Sequence, residues 1–231
     1  MNLPIAIIDA RSPKQALQNL SKKFEVIPFQ TQGITIESIS GHPDIFIFQD
    51  NTNLIFAPNI PNEILQKTDK NKYHIGNTYI SNKNDEMTKY NCIATNQYFI
   101  HKENSSDKKI IEKQKNKIFI QTKQAFTRCT TFPINDNTFI TSDLYTQKQL
   151  LAHNCSVLFV SPEDIQLPPY KYGFIGGCLG KYKDTIYING NLSLHKQGNE
   201  IKSFIESKHL SICELHDGQM YDGGGIFFIN D

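Results

Sequence analysis

A short segment recurs four times along this chain. The recurrence constrains the fold more than any other feature, because a repeated supersecondary unit buries its apolar face against its neighbouring copies. The copies are Asn53-Leu-Ile-Phe-Ala-Pro-Asn59, Gln97-Tyr-Phe-Ile-His-Lys-Glu103, Asn137-Thr-Phe-Ile-Thr-Ser-Asp143 and Asp184-Thr-Ile-Tyr-Ile-Asn-Gly190. Each begins at a polar turn residue, runs through alternating or wholly apolar positions and meets a polar helix-start signal. Each therefore reads as a strand leading into a helix.

The helices that follow have plausible starts and apolar faces: Asn59 and Pro61 before Ile64 and Leu65, Ser105 and Ser106 before Ile110 and Ile111, Ser142 before Leu144, Leu150 and Leu151. A longer helix is expected around His195–His209, with Ile201, Phe204 and Ile205 at helical spacing. Return strands are expected at Lys117–Gln121, Ser156–Ser161 and Leu210–Leu215, with Tyr73–Ile75 a weaker candidate. A further strand precedes each repeated segment, at Asp44–Phe48, Cys92–Ala94, Thr130–Ile134 and Phe174–Gly177, joined by short turns such as Asn135-Asp-Asn137. The unit is β-β-α-β.

Two pieces remain at the ends. Pro4–Asp9, a helix opened by Ser12-Pro13 with Ala16, Leu17 and Leu20 on one face, and Glu25–Phe29 lack only a first strand, while Gly225–Asn230 is a lone strand. Pairing the two ends completes a fifth unit and removes two exposed sheet edges. The expected fold is an α/β five-bladed propeller in one domain, with units at about 222–231 plus 1–40, 41–89, 90–126, 127–171 and 172–221. Five units in 231 residues give roughly 46 each, inside the range of repeat architectures. An open α/β sandwich is the alternative, but it leaves the complementary ends unexplained.

Composition excludes some functions. With 24 Lys+Arg against 23 Asp+Glu, a net charge of +1 is too small to gather nucleic acid or anionic lipid. No apolar run approaches the roughly 18 residues of a membrane span, and Met1–Arg11 has no signal-peptide pattern. The five cysteines form an odd set without a Cys-x-x-Cys pair, which points to a reducing cytoplasm rather than a disulfide framework or zinc ribbon. Only Arg11 and Arg128 are arginines.

The motifs Gly41-His-Pro-Asp-Ile45, Tyr90-Asn91, Phe126-Thr-Arg-Cys-Thr130, Ile140-Thr-Ser-Asp143, Tyr172-Gly-Phe-Ile-Gly-Gly177 and Tyr221-Asp-Gly-Gly-Gly-Ile226 resemble those of an uncharacterised bacterial family assigned to the pentein, or guanidino-group-modifying, fold. Arginine deiminases and dimethylarginine hydrolases share that fold. The resemblance implies a central channel in which carboxylates hold a guanidinium, a Cys near the C-terminal strand attacks its carbon, and a His in an earlier repeat is the acid/base. This sequence departs from that pattern. It reads Asp222-Gly-Gly-Gly-Ile226 where the Cys is expected and Phe126-Thr127-Arg128 where the His is expected.

In such a ring the residues opening the first strands converge: His42 and Asp44, Asn91 and Cys92, Arg128 and Cys129, Gly176 to Cys178, and Asp222. Pro43 would fix the imidazole of His42 relative to the Asp44 carboxylate. Arg128 beside Cys129 is the setting that lowers a thiol pKa, making Cys129 the candidate nucleophile and His42 the candidate base. Asp44, Asn91, Arg128, Cys178 and Asp222 are the candidate ligand-binding residues, with Arg128 pairing a carboxylate and Asp44 or Asp222 a cation.

The glycines at 176, 177, 180 and 223–225 match neither a Walker A loop nor a dinucleotide fingerprint and read better as close-packed turns. His216, Asp217 and Asp222 have no metal-site spacing, and neither a metal nor a cofactor is implied. The polar run 81–88 reads as a mobile loop, with a lid over the channel as the sharper alternative, and Ile165–Tyr172 as an extended connection. The expectation is a small amino-acid-like or guanidino-like ligand, acted on by a thiol-dependent C–N hydrolase if the protein is an enzyme. The alternative is a non-catalytic module that binds a protein partner, since the fold also includes ribosome-binding anti-association factors.

Overall fold

The computed structural model describes residues 3–229. The first sheet combines the two ends of the chain: β1 (Ile5–Asp9), followed by helix α1 (Lys14–Ser21) and β2 (Glu25–Phe29), pairs on its other side with the last strand. The second unit holds β3 (Ile47–Gln49), β4 (Leu54–Phe56), α2 (Asn62–Lys67), β5 (His74–Ile75) and the one-turn α3 (Asn84–Met87). The third holds β6 (Ile93–Ala94), β7 (Tyr98–His101), α4 (Lys108–Gln114) and β8 (Ile118–Gln121). In the fourth, a four-residue helix α5 (Thr127–Thr130) precedes β9 (Thr131–Asn135), β10 (Thr138–Thr141), α6 (Leu144–Ala152) and β11 (Ser156–Phe159). The fifth holds β12 (Leu179–Tyr182), β13 (Thr185–Ile188), α7 (Gly198–Glu206) and β14 (Ser211–Glu214), and β15 (Phe227–Ile229) returns to the first sheet.

Five three-stranded sheets result, each with its first strand antiparallel and its third parallel to the middle one. The parallel step requires a crossover, which the helix supplies. Middle strands are apolar because both faces are covered: every residue of β1, β4, β7 and β10 is buried, whereas β8, β11 and β14 are exposed or half-buried except at Ile120 and Leu158. The expected pairing of the chain ends is present, antiparallel, with Ile5 opposite Ile229 and Ile7 opposite Phe227. Asn230, the last residue of the expected closing strand, lies outside the described residues.

First strands of successive units touch: β3 with β6, β6 with β9, and β12 with β15. The Gln49 amide donates to the Phe228 carbonyl at 2.8 Å, tying β3 to β15. Asp107 caps α4 through Lys109 N and also accepts from Asn77 N and Thr78 N, joining the second unit to the third.

Several expected elements are corrected. Asp44–Phe48 begins with a 3-10 turn over Pro43–Ile45 and becomes a strand only at Ile47, because proline fixes φ and has no N–H to give a ladder. Phe174–Gly177 is likewise a turn, with Ile175–Cys178 in 3-10 geometry and the strand starting at Leu179. Here a Cβ on Gly176 would stand 2.2 Å from the Arg128 carbonyl, so two backbones pack where side chains would not fit. The last helix is shorter than His195–His209, covering Gly198–Glu206. Residues 81–88 are anchored: Met87 is buried and the Ser81 hydroxyl donates to the Glu86 carboxylate.

Candidate functional site

The chemistry gathers on the turns that open the units rather than on the strands themselves. Asn91 shapes one of them: its carbonyl accepts from Thr127 N at 3.0 Å, and its side-chain oxygen accepts from Arg128 N at 2.8 Å and Cys129 N at 3.2 Å. These are orphan donors of the α5 N-terminus, so Asn91 caps a neighbouring unit's helix and sets the position of Cys129. The Cys129 thiol donates to Asp44 Oδ2 at 2.8 Å, and the Asn91 amide approaches the same sulfur at 3.4 Å. Asp44, Asn91 and Cys129 are all buried.

His42, two residues before Asp44, is 1% exposed and lies 4.0 Å from the Asp9 carboxylate through Nε2. Among the described residues neither ring nitrogen has a hydrogen-bond partner, and Asp44 Oδ1 is also without one. Asp222 is held differently, accepting from Phe174 N at 2.9 Å and Gly224 N at 3.2 Å. The glycines permit this closeness. A Cβ on Gly177 would sit 1.7 Å from Asp222 Oδ1, and one on Gly224, at φ +70°, would meet the His42 Cβ at 2.5 Å.

Burial dominates the ionisation of the cluster. It pushes Asp44 and Asp222 up to about 6 each, against the hydrogen bond from Cys129 in one case and the nearby His42 in the other. Burial lowers His42, opposed by Asp222 and Asp9, so the imidazole is neutral at neutral pH. Burial and then the Asp44 and Asp222 charges raise the Cys129 thiol well above its ordinary value. The expected lowering by Arg128 is corrected: neighbours in a helical turn point in different directions, and the carboxylate 85 positions away meets the sulfur instead.

The Arg128 guanidinium donates to the carbonyls of Gly176 at 2.5 Å and Leu179 at 2.9 Å and lies over the rings of Phe132 and Phe227. It faces a separate cavity of about 350 Å³, shared with Cys92 and Lys181. Cys178 donates to the Phe174 carbonyl at 3.4 Å and is packed among Ile175, Leu179 and Ile188.

His42, Cys129 and Asp222 share one cavity of about 630 Å³, a volume suited to a small organic molecule. Its walls are apolar and aromatic, from Ile39, Phe126, Leu167, Tyr170, Tyr172 and Phe174, and Asp143 and Lys171 also line it. The segment expected to be a plain connection, 165–172, thus supplies a wall, and Ser38 reaches Tyr170 with a hydroxyl–hydroxyl hydrogen bond of 3.3 Å. Residues 81–88 line none of this cavity. Its irregular conformation gives the wall segment no periodic signal in the sequence.

Sequence reasoning also passed over Asp9 as a neighbour of His42. Asp9 is fully buried, with Arg11 donating from Nη2 at 2.7 Å and from Nε at 3.0 Å. An acid ending an otherwise apolar strand, two residues before one of the chain's two arginines, was the available signal. His216 accepts from Gly218 N and takes no part in a metal-ligating group; among the described residues, the three such donors that come together are His42, Asp44 and Cys129.

The chain belongs to a family of unknown function, DUF6873, which it matches over residues 7–227. No curated protein matches its sequence. Among solved structures, an agmatine deiminase from C. jejuni superposes with a TM-score of 0.60 and 8% identity, over 100% of this chain and 94% of that one. A Pseudomonas aeruginosa DDAH mutant complexed with citrulline superposes at 0.53 and 9% identity, over 93% and 92% of the two chains. At this identity the likeness shows the pentein fold alone. Among the described residues no helix is long and apolar enough to cross a membrane.

Proposed function

We propose that this DUF6873 protein is a closed five-bladed propeller whose aromatic-walled cavity takes a small guanidino- or amino-acid-like cation, and that Cys129 acts on it as the nucleophile of a C–N hydrolase. The observation that carries the reading is the thiol–carboxylate contact Cys129–Asp44, set beside His42 and Asp222 at the floor of that cavity. Aromatic faces and a buried carboxylate form a favourable environment for a planar cation. Asp222, the fully buried one of the two acids lining the cavity and the one beside His42, is the residue that pairs with it.

In the reaction the thiol proton passes to Asp44 and the sulfur adds to the guanidino carbon. The C–N bond then breaks as that proton reaches the departing nitrogen, leaving a thiouronium on Cys129. Water adds to this intermediate, giving up one proton to neutral His42; the C–S bond then breaks as the remaining hydroxyl proton passes to the sulfur, releasing a urea-type product and the thiol, and His42 returns its proton to solvent. The base in contact with the thiol is therefore Asp44, with His42 serving the second step. The raised thiol pKa fits a nucleophile that is neutral at rest and activated when a cation enters. The five cysteines are all unpaired, which supports a reducing cytoplasm as the working compartment.

The test is a thermal-shift screen of agmatine, arginine, methylated arginines and amino acids, followed by ammonia- and amine-release assays. A ligand at 100 times its Kd stabilises by about 2.7 kcal/mol, or roughly 5–10 °C for a chain of this size. The shift should disappear in Asp222→Asn, and turnover in Cys129→Ala. A panel with no shift returns the protein to the non-catalytic, partner-binding alternative, and full turnover by Cys129→Ala removes the thiol mechanism.

A further inference from the structure

Beside the cavity stand donors that the fold leaves unused, with His42 on its lining and Asp44 behind the Cys129 thiol. Both ring nitrogens of His42 and Oδ1 of Asp44 are buried without hydrogen-bond partners, although nearly all buried polar atoms in proteins have one. One ligating atom from each of His42, Asp44 and Cys129 falls within 4.8 Å of the others, and the three side chains arrive from two different unit-opening turns.

We propose that His42, Asp44 and Cys129 form a three-ligand site for a zinc-type divalent ion, with its fourth position open to the aromatic-walled cavity. An imidazole nitrogen, a carboxylate oxygen and a thiolate sulfur form a borderline-soft set that suits zinc and discriminates against calcium and magnesium, which take oxygen ligands. Tetrahedral zinc with bonds of about 2.0–2.3 Å places its donors about 3.3–3.7 Å apart, so the observed cluster needs displacements of only about an ångström. Asp9 sits 4.0 Å from Nε2 of His42 and is itself fixed by Arg11, which places a carboxylate where it can hold the ring's second N–H. Three protein ligands and one open position are the composition of zinc sites that bind a further molecule.

The inference shares the cavity of the proposed function but not its chemistry. A Cys129 sulfur bound to the ion is not free to attack carbon, so the loaded protein holds the thiol masked. Cobalt(II) added to chelator-treated protein should give, at one equivalent, the intense visible bands of a tetrahedral ion and a thiolate charge-transfer band in the near ultraviolet. Zinc should abolish both. The charge-transfer band should vanish in Cys129→Ser and persist in Cys213→Ser, which alters a thiol outside the cavity. Cobalt affinity should fall by about 100-fold or more in His42→Gln, beyond the roughly 10–100-fold of outer-shell changes.

A weak octahedral spectrum, or a charge-transfer band retained in Cys129→Ser, overturns the site. Should Cys129→Ser fail to fold, wild-type protein decides the matter. Zinc must then slow iodoacetamide labelling of Cys129, read by peptide mass spectrometry against a chelator control, and unchanged labelling overturns the site. Cobalt bands without any guanidino-ligand shift refute the hydrolase reading alone, and a ligand shift without cobalt bands refutes the metal site alone.

Discussion

Replacing His101 tests whether the segment that carries Cys129 is held by a buried neutral imidazole. His101 ends β7, is fully buried, and contacts Ser106 Oγ through Nδ1 at 2.6 Å and the Ala125 carbonyl through Nε2 at 2.8 Å. A carbonyl only accepts, so Nε2 carries the proton and Nδ1 accepts from the Ser106 hydroxyl. The ring thereby pins residue 125 immediately before α5, and with it the approach to Cys129. Burial lowers its pKa from 6.5 to about 4. The unfolded chain therefore binds the extra proton first as pH falls. The stability linked to this group is complete above about pH 6.5 and is lost as pH drops towards 4, by about 1.4 kcal/mol per pH unit and about 3 kcal/mol in all.

Asp44 and Asp222 slope the other way over nearly the same window, because raised carboxylates stabilise the fold as they protonate. The informative quantity is thus the difference between wild type and His101→Gln, measured by urea unfolding at pH 7.5, 6, 5 and 4.5. Glutamine can retain one of the two hydrogen bonds, so the variant should be less stable by about 1–2 kcal/mol at pH 7.5. That deficit should shrink or reverse by about pH 4.5. A deficit that stays constant across the series refutes the assignment of a neutral, proton-excluding His101.

Two further substitutions probe the supports of the site. Arg128→Lys cannot reproduce a fork that reaches two carbonyls while lying over the rings of Phe132 and Phe227, and should lower stability by about 2–4 kcal/mol in urea unfolding. A loss under about 0.5 kcal/mol would mean the guanidinium is dispensable to the fold. Gly177→Ala puts a methyl 1.7 Å from Asp222 Oδ1 and should abolish ligand-dependent thermal shifts while the variant still melts cooperatively. A normal shift would show that Asp222 need not hold its present position.

The five-fold organisation was legible because each middle strand is covered on both faces and reads as an apolar run between turn residues. Glu25–Phe29 has the expected bounds, and the two ends pair as their complementary deficits required. The unit-opening turns were not legible. Pro43 and the Gly176-Gly177 pair act through backbone geometry, while the apolar residues around them look like strand. Of the expected site residues, His42, Cys129 and Asp222 reach one cavity, with Asp44 directly behind the thiol. Asn91 touches the Cys129 sulfur while capping its helix, whereas Arg128 faces a separate cavity and, like Cys178, spends its donors on backbone carbonyls. Sequence position could not show which way each side chain turns.

Energetics distinguishes the centre from an ordinary core. Two carboxylates raised from 3.8 to about 6 each cost of order 3 kcal/mol when ionised at neutral pH, and the costs are coupled because Asp44 itself raises Asp222. Among the described residues neither acid has a lysine or arginine ion pair, and His42 adds two nitrogens without hydrogen-bond partners beside them. Apolar residues of similar volume would remove these costs, since a buried unpaired charge stabilises nothing by itself. The surrounding fold is built to keep them: glycines at 177 and 224 leave room for Asp222 and His42, Asn91 caps the helix that delivers Cys129, and Arg11 fixes Asp9. A set of groups that is unfavourable alone but tightly supported is the pattern expected of the proposed site, in which an incoming cation or ion would satisfy them.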